Sequence, residues 1–285
     1  DGSTFDFTEY VYVLRRGAEQ ANRPTWLFTN GAQLLSPNDN AHAVTFGDRP
    51  CTMVFDRSVF KGREGVPGGR GRVYSNSNGA AGTMVFKNGA LFRCDTLVWH
   101  QKSASLLTLT FDDAAWDPAD GDYTFTAGDA AHLLVLKADG AGRGLVLAPR
   151  AGATWTMAHP VTGTGGVTKE GAGTLVFASA PVCRGAVHVT EGLVSFGNLA
   201  ASGLTLKGSG TVAGGDLTDT TYRVTLDDDE TVSERLTFSD VTFSGTTTVD
   251  LGRTEATAFV QPYPTDVVVA RYTGAAPDVS NWRAG

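Results

Sequence analysis

Residues Thr164–Gly197 read TGGVTKEGAGTLVFASAPVCRGAVHVTEGLVSFG, a set of short apolar runs each introduced by a glycine-bearing turn. Thr174-Leu175-Val176-Phe177, Val187-His188-Val189-Thr190 and Leu193-Val194-Ser195-Phe196 have the β-branched and aromatic content of a pleated, half-buried surface. Side chains on a strand alternate between faces, so Val187 and Val189 are expected to point inward and His188 and Thr190 outward. Glu191-Gly192 ends one run, and Gly171 and Gly173 precede another; glycine admits the positive φ that such breaks need. The pattern extends through Leu204–Gly215, LTLKGSGTVAGG.

Strands this short cannot bury themselves one at a time. Stacking successive turns of chain solves the problem, because each rung covers the backbone groups and apolar side chains of its neighbour. Rungs would lie about 4.8 Å apart, the ordinary strand spacing. An antiparallel sandwich uses the same ingredients, but irregular repeat lengths and recurrent Gly-Thr-Val text favour the coil. The fold expected is therefore all-β, a single-stranded right-handed parallel β-helix. At about 22–25 residues per rung the chain would make roughly eleven to thirteen rungs.

The same wording, from Gly163 to Gly215, resembles the autotransporter-associated β-strand repeat of bacterial passenger regions. The resemblance implies a structural or adhesive passenger segment of a large secreted or surface protein, extracellular or at the bacterial cell surface, its repeat aiding export and display. It implies host or environmental glycans, or surface proteins, as partners.

Composition sets the outer bounds. The chain has 285 residues, of which 35 are glycine and 19% are charged, which excludes a disordered polyampholyte and suits an all-β repeat fold. No run is long enough to span a membrane, so this segment is not expected to insert in one. The N-terminus carries no basic stretch followed by an apolar one, so no signal peptide is expected. The stop at Gly285 predicts further protein beyond it. Net charge is −7, a poor basis for nucleic-acid binding, which rests on neutralising phosphates. The one basic stretch, Lys61–Arg72, has no interleaved aromatics on which bases would stack and reads as a solvated loop. Cys51, Cys94 and Cys183 are odd in number and widely spaced, without a CxxC pair, so no zinc site is expected. Cys51 and Cys94 are candidates for a disulfide between adjacent rungs, against the alternative of three small buried residues.

Residues 1–25 read as an N-terminal cap or as the cut edge of a longer solenoid, with an alternating strand over Phe5–Leu14 and a helical turn before Pro24. The β-helix is expected over 26–285, with its best repeat match at 163–215. Trp26–Thr29 leads into Asn30-Gly31, a strong turn pair. The wording MVF at Met53 and Met84 and LVF at Leu175 suggests degenerate rungs of one repeat, and 61–82 reads as a long glycine-rich loop. From Leu106 strand signals recur about every ten residues. Asp227–Glu230 reads as an acidic turn and Pro262-Tyr263-Pro264 as a local stiff one.

No catalytic, cofactor-binding or metal-ligating set emerges, and the chain is not read as an enzyme. His42, His100, His132, His159 and His188 are scattered without HExxH or HxH. No GxSxG occurs, and Gly140-Ala141-Gly142-Arg143-Gly144 lacks the ending of a phosphate loop and reads as a turn. Asp112, Asp113, Asp117, Asp120 and Asp122 are the densest acids; their spacing is not that of a calcium loop. They support an alternative reading, a carbohydrate-binding or polysaccharide-cleaving β-helix, if Asp112, Asp117 and Asp120 gather with an arginine on one lateral face. Trp26, Trp99, Trp116, Trp155 and Trp282, with Tyr10, Tyr12, Tyr74 and Tyr123, would serve as sugar platforms if exposed. Trp116, beside Asp117-Pro118, is the strongest candidate for a loop position. A trimeric capsid or tail-fibre β-helix is a third reading that nothing in the sequence demands.

Overall fold

The computed structural model describes residues 2–6, 11–13, 25–36, 44–46, 51–62, 71–75, 81–99, 105–125, 132–226, 232–253, 268–274 and 276–285. Among these every regular element is a strand. The chain winds as a parallel β-helix with three sides to each turn. On the first side, Thr4–Asp6, Gln33–Ser36, Val59–Gly62, Leu91–Phe92, Ala114–Trp116 and Leu145–Leu147 stack in chain order, each parallel to the next. Val167–Lys169, Val187–Val189, Thr205–Gly208, Thr221–Leu226, Thr247–Arg253 and Trp282–Ala284 continue the same stack. These make twelve of the 13 strands of that sheet. The remaining one, Val232–Glu234, supplies the only antiparallel pairing among the described residues. Such an arrangement excludes the sandwich, whose sheets are built from antiparallel neighbours.

The second side begins with Val11–Val13, Val44–Phe46, Gly71–Ser75 and Cys94–Trp99. A separate ladder then runs from Tyr123–Phe125 through Thr154–Met157 and Thr174–Phe177 into Leu193–Ser202. At the break between the two ladders side chains replace the backbone bonds: Tyr123 OH donates to Asp95 O at 2.9 Å and Trp116 Nε1 to Cys94 O at 2.9 Å. The third side stacks Thr25–Thr29, Cys51–Asp56, Ala81–Lys87, Ser105–Asp112, His132–Ala138, Val161–Gly163 and Val182–Cys183. Further along, Leu193–Ser202 and Thr211–Thr218 bend in mid-strand. Their far halves carry an additional parallel ladder, Ala200 to Asp216 to Thr242. Turn length is uneven, from the 16 residues between the partners Leu206 and Tyr222 to the 35 between Val249 and Ala284. The sheets tolerate this because only the strands must match in register; the connections vary freely.

The core follows from strand alternation. Cys51–Asp56 has its odd-numbered residues buried and its even-numbered ones half-buried. Met53 and Met84 are register partners, as are Phe55 and Phe86, and Leu109 and Phe111 continue the two rows. The rings of Phe28, Phe55, Phe86 and Phe111 stack at 4.8, 4.9 and 5.3 Å between centroids. Leu175 and Phe177 do not belong to that column. They lie on the second side, in register with Trp155 and Met157, so the shared MVF and LVF wording marks similar burial on different sides of the coil. Val187 and Val189 are buried, His188 half-buried and Thr190 exposed, as alternation requires.

The connections match the sequence expectation in part. Asn30-Gly31 is a turn as expected, and with Asn88-Gly89 it makes a corner from the third side to the first, where Gly31 and Gly89 donate onward to Arg57 O and Asp113 O in the next turn. Asn30 and Asn88 take φ of 54° and 55° there, a left-handed conformation that asparagine accepts more readily than most residues. The stretch 61–82 is not one loop: Val59–Gly62, Gly71–Ser75 and Ala81–Lys87 are strands of three different sides. Phe5–Leu14 is not one strand: Thr4–Asp6 overlaps its start and Val11–Val13 lies on a separate sheet. The helical turn before Pro24, the acidic turn Asp227–Glu230 and the Pro262–Pro264 turn lie outside the described residues, as do residues 63–70 of the basic stretch.

Candidate functional site

Outward side chains of the first side stand in columns at strand spacing, about 4.8 Å. Thr168 pairs with His188 and His188 with Lys207. Leu206 pairs with Tyr222, which sets Lys207 beside Arg223, and Arg223 pairs with Asp250. His188, Lys207 and Arg223 thus form three consecutive basic rungs. They line a lateral cleft of about 340 Å³ together with Arg143, Thr164 and the glycines of the adjoining corner. That corner includes Gly140-Ala141-Gly142-Arg143, the sequence read as a plain turn.

Among the described residues no carboxylate lines the cleft, but carboxylates brace it from outside. Arg143 Nε lies 2.9 Å from Asp113 Oδ1 and its Nη1 2.6 Å from Glu170 Oε1. Arg223 Nε lies 2.9 Å from Asp250 Oδ2. His188 Nε2 is 3.5 Å from Glu234 Oε1 and makes no hydrogen bond. Burial lowers the imidazole pKa, and the neighbouring Lys207 lowers it further against the opposing pull of Glu234. Thr168 Oγ1 donates to Arg143 O at 2.9 Å, which pins the arginine backbone to the neighbouring turn. Lys207 has no ion-pair partner among the described residues.

Beneath this face sits a second unusual group. Lys169 follows Thr168 on the same strand and so points inward, where it is fully buried. Its ammonium donates to Glu170 O at 3.0 Å, Gly171 O at 2.5 Å and Glu191 O at 3.0 Å. An ammonium has three donors and no acceptor, so all of its hydrogen-bonding capacity is used. Burial nevertheless draws its pKa down to about 8. The corners at Gly171 and Gly192, with φ of 73° and 68°, turn those carbonyls toward the ammonium. Lys169 therefore ties two successive turns together through their backbones.

The acids proposed as a groove do not gather. Asp112 precedes Ala114–Trp116 and Asp117 follows it, at opposite ends of that strand. Asp117 lies 3.0 Å from Arg93, Asp120 pairs with Arg150, and Asp122 accepts from the Thr154 backbone at 2.7 Å. Each is spent on a different local contact. Among the described residues no group of three His, Cys, Asp or Glu side chains is placed to hold a metal ion.

Trp116 is not on a loop. It ends the strand Ala114–Trp116 and is buried, stacked on Phe111 at 5.9 Å. Replacing Trp116 with Phe keeps most of the apolar volume but leaves Cys94 O without its side-chain donor. The expected loss is about 1–3 kcal/mol, the usual cost of an unsatisfied buried polar group, read from urea unfolding. Trp155 is likewise buried, Trp282 half-buried and Tyr123 half-buried; Trp26 is exposed. Tyr10 lies outside the described residues, as do the side chains of Tyr12, Tyr74 and Trp99. Cys51 and Cys94 are buried and Cys183 is half-buried, none of them in a disulfide, with Cys51 opposite Gly82 in the ladder and not opposite Cys94. Burial pushes the Cys51 thiol up to about 11. His42 and His100 lie outside the described residues.

Lys169, Lys207 and Arg223 carried no signal in the sequence beyond their charge. The column became legible only once the register between turns was known. Compared with family models, with curated proteins and with solved structures, the chain matches none.

Proposed function

We propose that this chain is a rigid rod that displays lateral surfaces outside a bacterial cell, a structural or adhesive passenger segment of a larger secreted or surface protein. Its role is mechanical and not catalytic. The observation that carries the reading is the unbroken parallel stack on the first side, from Thr4–Asp6 to Trp282–Ala284. A solenoid of this kind resists bending because every rung is bonded to the next. It also folds by propagation from rung to rung, which suits a chain that crosses a membrane unfolded and folds on the far side. The repeat wording of 163–215 supports the same setting by its resemblance to autotransporter-associated strands.

The test is to place the chain between a signal peptide and an outer-membrane β-barrel in a Gram-negative host. The expected result is surface display in a form that resists added protease. Periplasmic retention, or display in a protease-sensitive state, would contradict the passenger role.

A second reading, a carbohydrate-binding β-helix, is favoured by one observation, the basic lateral cleft at His188, Lys207 and Arg223.

A further inference from the structure

We propose that the column His188–Lys207–Arg223, with Arg143 at its edge, is a binding site for an acidic polysaccharide, a chain bearing a carboxylate on successive sugars. The inference goes beyond the rod reading and does not depend on where the rod is displayed.

The first argument is electrostatic. Like charges directly opposite one another on adjacent strands are destabilising. Here Lys207 and Arg223 carry like charges on consecutive rungs of one column, with the His188 imidazole on the rung before. The two ends are relieved by acids, His188 by Glu234 and Arg223 by Asp250, and Arg143 is held by Asp113 and Glu170. Lys207, in the middle, has no such relief among the described residues. His188 Nε2 is a buried polar atom without a hydrogen bond. A bound anion would satisfy both groups at once.

The second argument is shape. The cleft owes its depth to missing side chains, since Gly140, Gly142, Gly165, Gly166 and Gly185 make up much of its lining. A volume of about 340 Å³ lies at the lower end of the range of small-molecule sites, roughly 300–1,000 Å³. It suits one or two sugar rings and the groups attached to them. The exposed Thr164 at the rim offers a hydroxyl to a sugar.

The third argument is spacing. The basic groups are spread along the fibre axis over successive rungs and do not converge on one point. A single phosphate would engage one or two of them. An extended chain of uronate sugars, each advancing by about one strand spacing, would meet all three in turn. Among the described residues no Phe, Tyr or Trp lines the cleft, so it lacks the broad aromatic platform on which bases stack, and nucleic acid is disfavoured. Without such a platform a neutral sugar would also bind poorly, and the charge on the sugar becomes the main source of affinity.

The experiment is calorimetric titration of the chain at low salt with a galacturonate tetramer, its methyl ester, inorganic phosphate and a single-stranded DNA oligomer. Binding is expected for the tetramer alone. Lys207→Ala and Arg223→Ala should each weaken it by roughly tenfold, the effect of losing one charge-assisted contact. Circular dichroism establishes that the variants are folded, and Lys207→Gln and Arg223→Gln replace any that is not. The His188 imidazole, followed by NMR, should titrate at higher pH in the complex than in the free chain. Failure of the tetramer to bind would overturn the site. Equal binding by the ester, by phosphate or by DNA, unchanged affinity in both variants, or a His188 titration indifferent to the tetramer would overturn it as well.

Discussion

Replacing Lys169 with alanine is expected to destabilise the chain by about 3–5 kcal/mol, the range found when one member of a buried polar set is removed. The reasoning begins with what is left behind. Glu170 O, Gly171 O and Glu191 O each accept from the Lys169 ammonium, and none of them accepts from another backbone amide outside the strand ladders. Each accepts in a part-buried bond and would lose its side-chain donor, at up to about 1–3 kcal/mol apiece where water does not replace it. Removing the ammonium also removes its own desolvation penalty, which offsets part of the sum and keeps the net effect below the simple total. Lys169→Met fills the aliphatic space and should recover only the packing part, remaining clearly less stable than the native chain in urea unfolding.

The same group predicts a pH dependence with a definite sign. Its folded pKa, about 8, lies below the 10.5 of an ordinary lysine. Below pH 8 both folded and unfolded chains carry the charge and the burial penalty is fully present. Between about pH 8 and 10.5 the unfolded chain holds the proton while the folded one releases it, so this group's contribution to stability rises with pH. The Cys51 thiol, whose pKa is raised, acts in the opposite sense over part of that range. Both effects are present in the native chain, but only the first is absent from Lys169→Met. The stability advantage of native over Lys169→Met should therefore grow from pH 8 to 10. An advantage that stays flat or shrinks would show that the ammonium is not held in a desolvated site.

The second large effect is expected at Gly166. A Cβ built there would lie inside 3.0 Å of both the oxygen and the nitrogen of Ala186, backbone atoms of the following turn. The same crowding recurs along the column, for a Cβ on Gly144 would meet Gly166, and one on Gly185 would meet Gly165 and Gly166. Here the turns touch backbone to backbone. The clash cannot be relieved by rotating a side chain, and the rungs must move apart at the cost of the ladder bonds Leu145 N to Gly166 O and Val167 N to Ala186 O. Gly166→Ala is expected to cost at least about 3 kcal/mol, the upper part of the range for overpacking. Gly121→Ala is the matched control: nothing lies within 4 Å of a Cβ there, and its stability should stay within about 0.5 kcal/mol of the native chain. Equal effects at the two positions would mean that the turns are not packed as described.

How much of this was legible in the sequence depended on which forces act locally. Strand alternation is a property of a few consecutive residues, so the buried Val187 and Val189 and the outward His188 could be read directly. Thr174–Phe177 was legible from its β-rich text and appears with the bounds expected. What could not be read was the partner of each strand. Leu175-Val176-Phe177 and Met53-Val54-Phe55 look alike because burial demands the same residues on any side of the coil, yet they occupy different sides. Trp116 looked like a loop residue because Asp117-Pro118 follows it, but its indole is held inward by Cys94 O from the preceding turn. Lys169 offered no sign of burial, since the carbonyls that receive it belong partly to a corner 22 residues further on. The cleft is hidden for the same reason: His188, Lys207 and Arg223 are remote in sequence and become neighbours only through register.

That register is the central claim, and paired cysteine trapping tests it most directly. In a parallel ladder Thr52 faces Thr83 and Asp56 faces Lys87, with Cα separations suited to a disulfide. An antiparallel pairing of the same two segments would instead bring residue 52 to residue 87. Chains carrying T52C with T83C, D56C with K87C, or T52C with K87C are oxidised under mild conditions, and the bridges are mapped by mass spectrometry. The coil predicts rapid bridging in the first two and none in the third. Bridging of 52 to 87, with the other two pairs silent, would contradict it.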